Sequence, residues 1–163
     1  MPESDAARES PVAVASGNGV NRMDDRTRDL FAASFRLKRV QYRKSAAVDA
    51  ALLQIGSSLA QWALLRDISQ HPGETARALA QRTRQTDQAL GALIVKLAER
   101  GLVERTPGRG KALRHELTET GRRMLAQCTP VVAEVLSREF GHLDDEELAT
   151  FVALLGKIAG DEA

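Results

Sequence analysis

The sequence is short of cysteine, of aromatic residues and of long apolar runs, and each shortage narrows what the protein can be. A single cysteine, Cys128, cannot form an intramolecular disulfide, which excludes a disulfide framework and fits a reducing compartment. The longest charge-free run, Ala50 to Leu65, is too short for a membrane-spanning helix and is interrupted by Gln54, Ser57, Ser58 and Gln61. Glu3, Asp5 and Glu9 stand where a secretory leader would be basic. His71, His115 and His142 lie far apart and show no metal-ligand spacing. No G-x-S-x-G nucleophile motif occurs. GRGKA resembles the end of a phosphate-binding loop, but Ala112 replaces the needed hydroxyl residue and the upstream glycine is missing. These absences predict a cytoplasmic protein with no membrane association, no metal, no cofactor and no enzymatic activity.

What is present is ordinary in amount and uneven in placement. At 163 residues the chain suffices for one domain with an attached tail. Such a domain buries roughly 70% of its unfolded surface and needs no staples. The net charge of +1 conceals a polarity: residues 1–19 carry −2, 20–65 carry +4, 66–123 carry +5 and 124–163 carry −6. Eighteen of the 23 basic residues are arginine, suited to planar, bidentate recognition of phosphate or carboxylate. A basic middle fits a polyanionic partner, and equally a solvated arginine-rich surface.

Residues 1–22 mix Pro, Ser, Gly, Asn and Ala without helical periodicity and read as a disordered tail, with Met23 an alternative start. Helical spacing of Leu30, Phe31, Ser34, Leu37, Val40 and Gln41 begins near Asp24. Ala46 to Ile55 is almost wholly apolar, which predicts a helix buried on most sides. Gly56 breaks it, and Ser57 or Ser58 caps a helix, LAQWALLRDISQ, that His71-Pro72-Gly73 ends. Leu59, Trp62, Ala63, Leu65 and Ile68 form its expected inner face. A short helix from about Thr75 to Arg82 follows, then a turn at Thr83 to Gln85. Thr86 caps a helix to Arg100 whose inner face is Leu90, Leu93, Ile94 and Leu97, and Gly101 suits its left-handed terminus. Two strands are expected, Leu102 to Thr106 and Leu113 to Thr118, joined by PGRGKA with Gly108 and Gly110 at positive φ. Thr118 caps a long helix that Pro130 should kink or split. Asp144 with Glu147 forms a capping-box pattern ahead of the stripe Leu148, Phe151, Val152, Leu155 and Ile158. Cys128, beside Met124 and Leu125, reads as a packing residue rather than a redox sensor.

Helix, tight turn, helix and β-ribbon in that order make a winged helix-turn-helix, whose second helix fits a major groove. No aromatic residue falls between Thr75 and Thr118, so the stacking surface of single-strand and RNA binders is lacking, and double-stranded DNA is the expected partner. The run LAQRTRQTDQALGALIVKLAERGLVER followed by LTETG resembles the MarR family of bacterial winged-helix regulators, and GSSLAQWALLRDI is similar to that family's second helix. The resemblance spans roughly residues 25–160.

It implies a mainly α fold with a small β-hairpin wing. The winged helix-turn-helix would cover about 58–118, and the terminal helices, about 24–55 and 119–160, would form the dimerisation region of one domain over 23–163. It further implies an obligate homodimer on a pseudo-palindromic operator, a repressor released by a small aromatic or otherwise anionic effector. Two features depart from the family. Arg109 and Lys111 stand where it has an Asp-x-Arg pair in a wing about two residues longer, and Gly91 stands where it tends to have Ser or Thr.

Residues of the recognition helix turned away from its inner face are Asp87, Gln88, Gly91, Ala92 and Val95. Gln88 is the expected base reader, through bidentate contact with adenine, and Ala92 can meet a thymine methyl. Arg82, Arg84 and Thr86 are expected on phosphates, while Arg109 and Lys111 are expected in the minor groove. Arg105, in the matching run, completes the DNA-binding set. Gly91 reads either as a close approach of backbone to DNA or as tolerated drift. Trp62, with Tyr42 or Arg66 nearby, is the expected lining of an effector pocket. The rival reading is a winged-helix module for protein–protein contact without a specific operator.

Overall fold

The computed structural model describes residues 24–83, 85–108 and 112–160. The expected tail, Arg84, Arg109, Gly110 and Lys111 lie outside the described residues. The elements are α1 (Asp25–Leu53), α2 (Leu59–Gln70), β1 (Glu74–Thr75), α3 (Ala76–Thr83), α4 (Asp87–Glu99), β2 (Val103–Pro107), β3 (Leu113–Leu117), α5 (Glu119–Phe140) and α6 (Asp145–Ala159). This is the mainly helical winged fold that the spacing predicts, with one strand more than expected.

The chain divides into two units, one ending at Leu37 and the other running from Lys38. In the first, Asp24 starts α1: its carboxylate accepts from the Thr27 backbone N–H at 2.8 Å and from the Thr27 hydroxyl at 3.0 Å. Those bonds, the backbone one first, hold the Asp24 carboxyl below its ordinary value. Leu30, Phe31, Phe35 and Leu37 are exposed there, and the two phenyl rings stack with centroids 6.5 Å apart.

The second unit has two cores. One joins α2, α3, α4 and the sheet through Leu64, Leu65, Ile68, Leu79, Ala80, Leu90, Ile94, Leu97, Leu102, Val103 and Leu117. The other joins α1 to α5 through Val48, Leu52, Cys128, Val132 and Val135. Cys128 is fully buried and packs as expected. Only one side of the Ala46–Ile55 stretch is covered, because α5 meets that side alone; Leu53 and Ile55 stay exposed, contrary to the expected burial on most sides. The inner face of α2 also differs: Leu64, Gln61 and Asp67 are buried, whereas Leu59, Trp62 and Ala63 are half-buried. Ser58 is the cap, accepting from the Gln61 N–H at 3.3 Å.

The sheet order is β1-β3-β2, antiparallel throughout, with Glu74 opposite His115 and Val103 opposite Leu117. β1 escapes a periodicity reading because two residues carry no period. His115 and Leu117 point inward, but Leu113 is exposed. Gly108 does not take the positive φ expected of it. It is needed instead for a close approach: its N–H donates to the Ala112 carbonyl at 2.8 Å, and a Cβ there would lie 2.9 Å from that oxygen.

α5 runs unbroken through Pro130, so of the expected kink or split the split does not occur. Proline removes the bond to the carbonyl four residues back, that of Ala126. Ala126 and Pro130 are both exposed, so the freed carbonyl faces water rather than core. α6 has the expected capping box, with Asp144 and Glu147 each accepting from the other's backbone. None of its residues is buried.

Candidate nucleic-acid interface

α4 owes its presentation to its two ends. At the start, Thr86 sits in extended backbone and its hydroxyl accepts from the Ala89 N–H at 3.2 Å. The turn before it is held by the Gln85 N–H donating to the Ala80 carbonyl at 3.0 Å and by the Thr83 hydroxyl donating to the Leu79 carbonyl at 2.8 Å. At the other end Gly101 takes φ +67. Leu90, Ile94 and Leu97 are buried, leaving Asp87, Gln88, Ala92 and Val95 exposed on the opposite side. The helical period predicted this division, and the structure reproduces it except at Leu93, expected inside, and Gly91, expected outside, which are both half-buried.

Gly91 lies between the two sides. A Cβ there would have no neighbour within 4 Å, so the glycine is not required by packing. With Ile94 and Val95 it lines a groove of about 490 Å³ between α4 and the sheet, closed by Thr75, Ala76, Arg77, Arg105, Leu113 and His115. Arg105 therefore stands opposite α4, on an exposed position of β2. Arg77 shares the groove and was not singled out in the sequence. Its place between the inward Ala76 and the inward Leu79–Ala80 pair marks it as outward, the one signal that could have found it.

Arg82, expected on a phosphate, is engaged within the protein. Its guanidinium lies 3.6 Å from Asp67 and 3.5 Å from Glu74, bridging α3 to α2 and β1. The same Asp67 oxygen lies 3.4 Å from His71 Nδ1. Among the described residues no group of three His, Cys, Asp or Glu could hold a metal ion, and no helix is long and apolar enough to cross a membrane.

The residues expected around an effector fall in two places. The Arg66 guanidinium lies 5.7 Å from the centre of the Trp62 ring, a cation–π distance. Trp62 Nε1 is buried without a hydrogen-bond partner. Tyr42, 78% exposed, instead lines a separate groove of about 510 Å³ with Ser45 and Asp49 of α1 and Leu59, Ala60 and Ala63 of α2.

The pattern that defines the MarR family matches residues 55–112, from the α1–α2 corner to the wing. The HTH-type transcriptional repressor Rv2887 of Mycobacterium tuberculosis is 31% identical over 116 residues, covering 70% of this chain and 84% of that protein. The chain belongs to the MarR family. Two solved structures of that M. tuberculosis protein resemble this MarR-family chain at a TM-score of 0.65 and 29% identity, one in complex with p-aminosalicylic acid and one in complex with DNA. Each covers 77% of this chain, with 97% and 95% of the solved chains matched.

Proposed function

We propose that this MarR-family protein is a sequence-specific, double-stranded-DNA-binding transcriptional repressor, working in the cytoplasm by binding rather than by catalysis. The observation that carries the reading is the capped helix α4, which buries Leu90, Ile94 and Leu97 and leaves Gln88 and Ala92 exposed, with Arg105 across the groove that Gly91 and Val95 line. Gln88 reads an adenine edge and Ala92 meets a thymine methyl. Asp87 and Gly91 border the bases, and Thr86 meets a phosphate. Arg105 lies against the backbone, joined by Arg84, with Arg109 and Lys111 reaching the minor groove. Arg82 reaches a phosphate only by loosening its hold on Asp67 and Glu74. The DNA complex of the M. tuberculosis relative supports this reading.

The protein acts as a homodimer on a pseudo-palindromic operator. Support comes from α6, where Leu148, Val152, Leu154 and Ile158 are exposed on a helix with no buried residue. An apolar face of that kind marks an association surface. Two recognition helices then enter successive major grooves about 34–36 Å apart. A small aromatic or anionic effector favours another spacing and shifts the population away from the DNA-bound arrangement. The groove at Tyr42 supplies room for it, and Trp62 with Arg66 offers a cation and an aromatic face at a separate place on α2. The p-aminosalicylic acid complex of the relative supports that class of ligand.

Selection from a random duplex library at about 150 mM salt tests the reading, because screening there suppresses sequence-blind attraction. The expected product is a palindrome with half-sites one helical turn apart. In the same selection Gln88→Ala loses preference at one base pair per half-site. Sequence-blind retention by the wild-type protein would point instead to a winged helix that binds protein.

A further inference from the structure

The C-terminal end of α4 is tied to a part of the chain far away in sequence. Arg100 caps the helix, and its side chain leaves the helix end for the corner between α1 and α2. There its Nη1 donates to Gln61 Oε1 at 2.7 Å and its Nη2 donates to the Gly56 carbonyl at 3.0 Å. Gln61 is only 7% exposed, so its carbonyl has few alternatives to this bond. The corner itself is fixed to α1: the Leu59 N–H donates to Asp49 Oδ1 at 2.8 Å, and the Ser57 N–H donates to the Leu52 carbonyl at 3.0 Å. Val48 and Leu52, on the same stretch of α1, are packed against α5.

We propose that Arg100 is a positioning residue for operator recognition: a strut that fixes the direction of α4 relative to the α1–α2 corner, and so sets which half-site spacing the dimer accepts. The inference rests on the reading of α4 as the DNA-contacting helix. It concerns not which bases are read but how far apart the two readings fall. A planar fork suits the task, since one guanidinium meets a side-chain oxygen and a main-chain oxygen in different directions, which an ammonium on a flexible stem does less rigidly. Its charge at the helix C-terminus is also favourable to the helix dipole. α4 has no other described side-chain hydrogen bond to that corner; on its other flank the segment just past its end is held by Thr118, which donates to the Gly101 carbonyl at 2.6 Å and to the Leu102 carbonyl at 3.1 Å, so Arg100 is the tie that faces α1 and α2.

The test uses the intact dimer and a series of duplexes carrying the selected operator with none, one or two base pairs inserted at its centre, together with a duplex holding one half-site. Each inserted pair moves the second half-site by about 3.4 Å along the axis. Wild-type protein should prefer its own spacing over the one-pair insertion by about tenfold, and Arg100→Ala should reduce that preference to about threefold or less. Affinity for the single half-site should stay within about twofold of wild type. Arg100→Lys should recover part of the preference, and Gln61→Leu, which removes one of the two acceptors, should fall between. Melting curves of each variant identify any that fail to fold, and the preference is read on those that do.

A purely structural role would lower affinity for every duplex alike and leave the preference intact, which would overturn the proposal. Retention of the full preference by both Arg100→Ala and Gln61→Leu would overturn it too. A wild-type protein with no preferred operator would overturn the recognition-helix reading and with it the strut's role, an outcome distinct from a wild-type preference that the variants keep.

Discussion

Gly121→Ala is expected to destabilise the protein by about 3 kcal/mol or more, lowering the melting temperature by roughly 6–12 °C. A Cβ at Gly121 would lie 2.0 Å from the Leu102 carbonyl oxygen and 3.0 Å from its carbon. That oxygen is not free to retreat, because it accepts the Thr118 N–H at 3.1 Å. Thr118 is committed in turn: its hydroxyl donates to the Gly101 carbonyl at 2.6 Å and accepts from the Gly121 N–H at 3.0 Å. The obstruction is therefore backbone held by three hydrogen bonds, rather than the end of a flexible side chain. The Leu-Thr-x-x-Gly run at the end of the wing acquires a physical reason. Its threonine starts α5 and its glycine lets the first turn of α5 lie on the end of α4. Differential scanning calorimetry of the variant checks this, and an unchanged melting temperature would show that α5 approaches Leu102 less closely in solution.

Ile158→Glu is expected to convert the dimer to monomer and to lower affinity for the palindrome by at least about 100-fold, since a carboxylate buried in an apolar seam has no compensating partner. Ile158 is 76% exposed on α6, near the end of a stripe that begins at Leu148. The helix itself should survive, because the Asp144–Glu147 capping box and the left-handed Gly160 terminus are untouched. The loss would then be one of association and not of folding. Sedimentation across a range of concentrations, with circular dichroism as control, separates the two. A variant that still sediments as a dimer would remove α6 from the association surface.

Much of the fold was legible because local signals agreed. Ser58, Thr86 and Thr118 cap the helices that follow them, and the inner side of α4 came directly from a 3.6-residue period. The parts that were not legible depend on distant partners. Gln61 reads as an outward polar residue until Arg100, 39 positions away, reaches it. Asp67 reads as surface until Arg82 and His71 converge on it. Two residues cannot announce β1; only the register of β3 makes them a strand. Apolar content from Ala46 to Ile55 overstated burial because composition says how much surface must be covered, not by which chain. For the site, the outward side of α4 was legible, whereas the opposition of Arg77 and Arg105 across one groove required the sheet to be in place.

That two-residue strand also bears on the timing of release from DNA. Thr75 closes the sheet opposite Arg114, and its hydroxyl accepts from the Ala78 N–H at the start of α3. Next to it, His115 Nδ1 lies 3.0 Å from the Glu74 carbonyl. A hairpin anchored only at its own base could peel from a duplex ahead of the helices and return, giving a stepwise escape. A hairpin stapled to α3 through Glu74 and Thr75 is tied to the helices at its base, so on the proposed binding mode wing and helix are expected to leave the duplex together, with one off-rate rather than two.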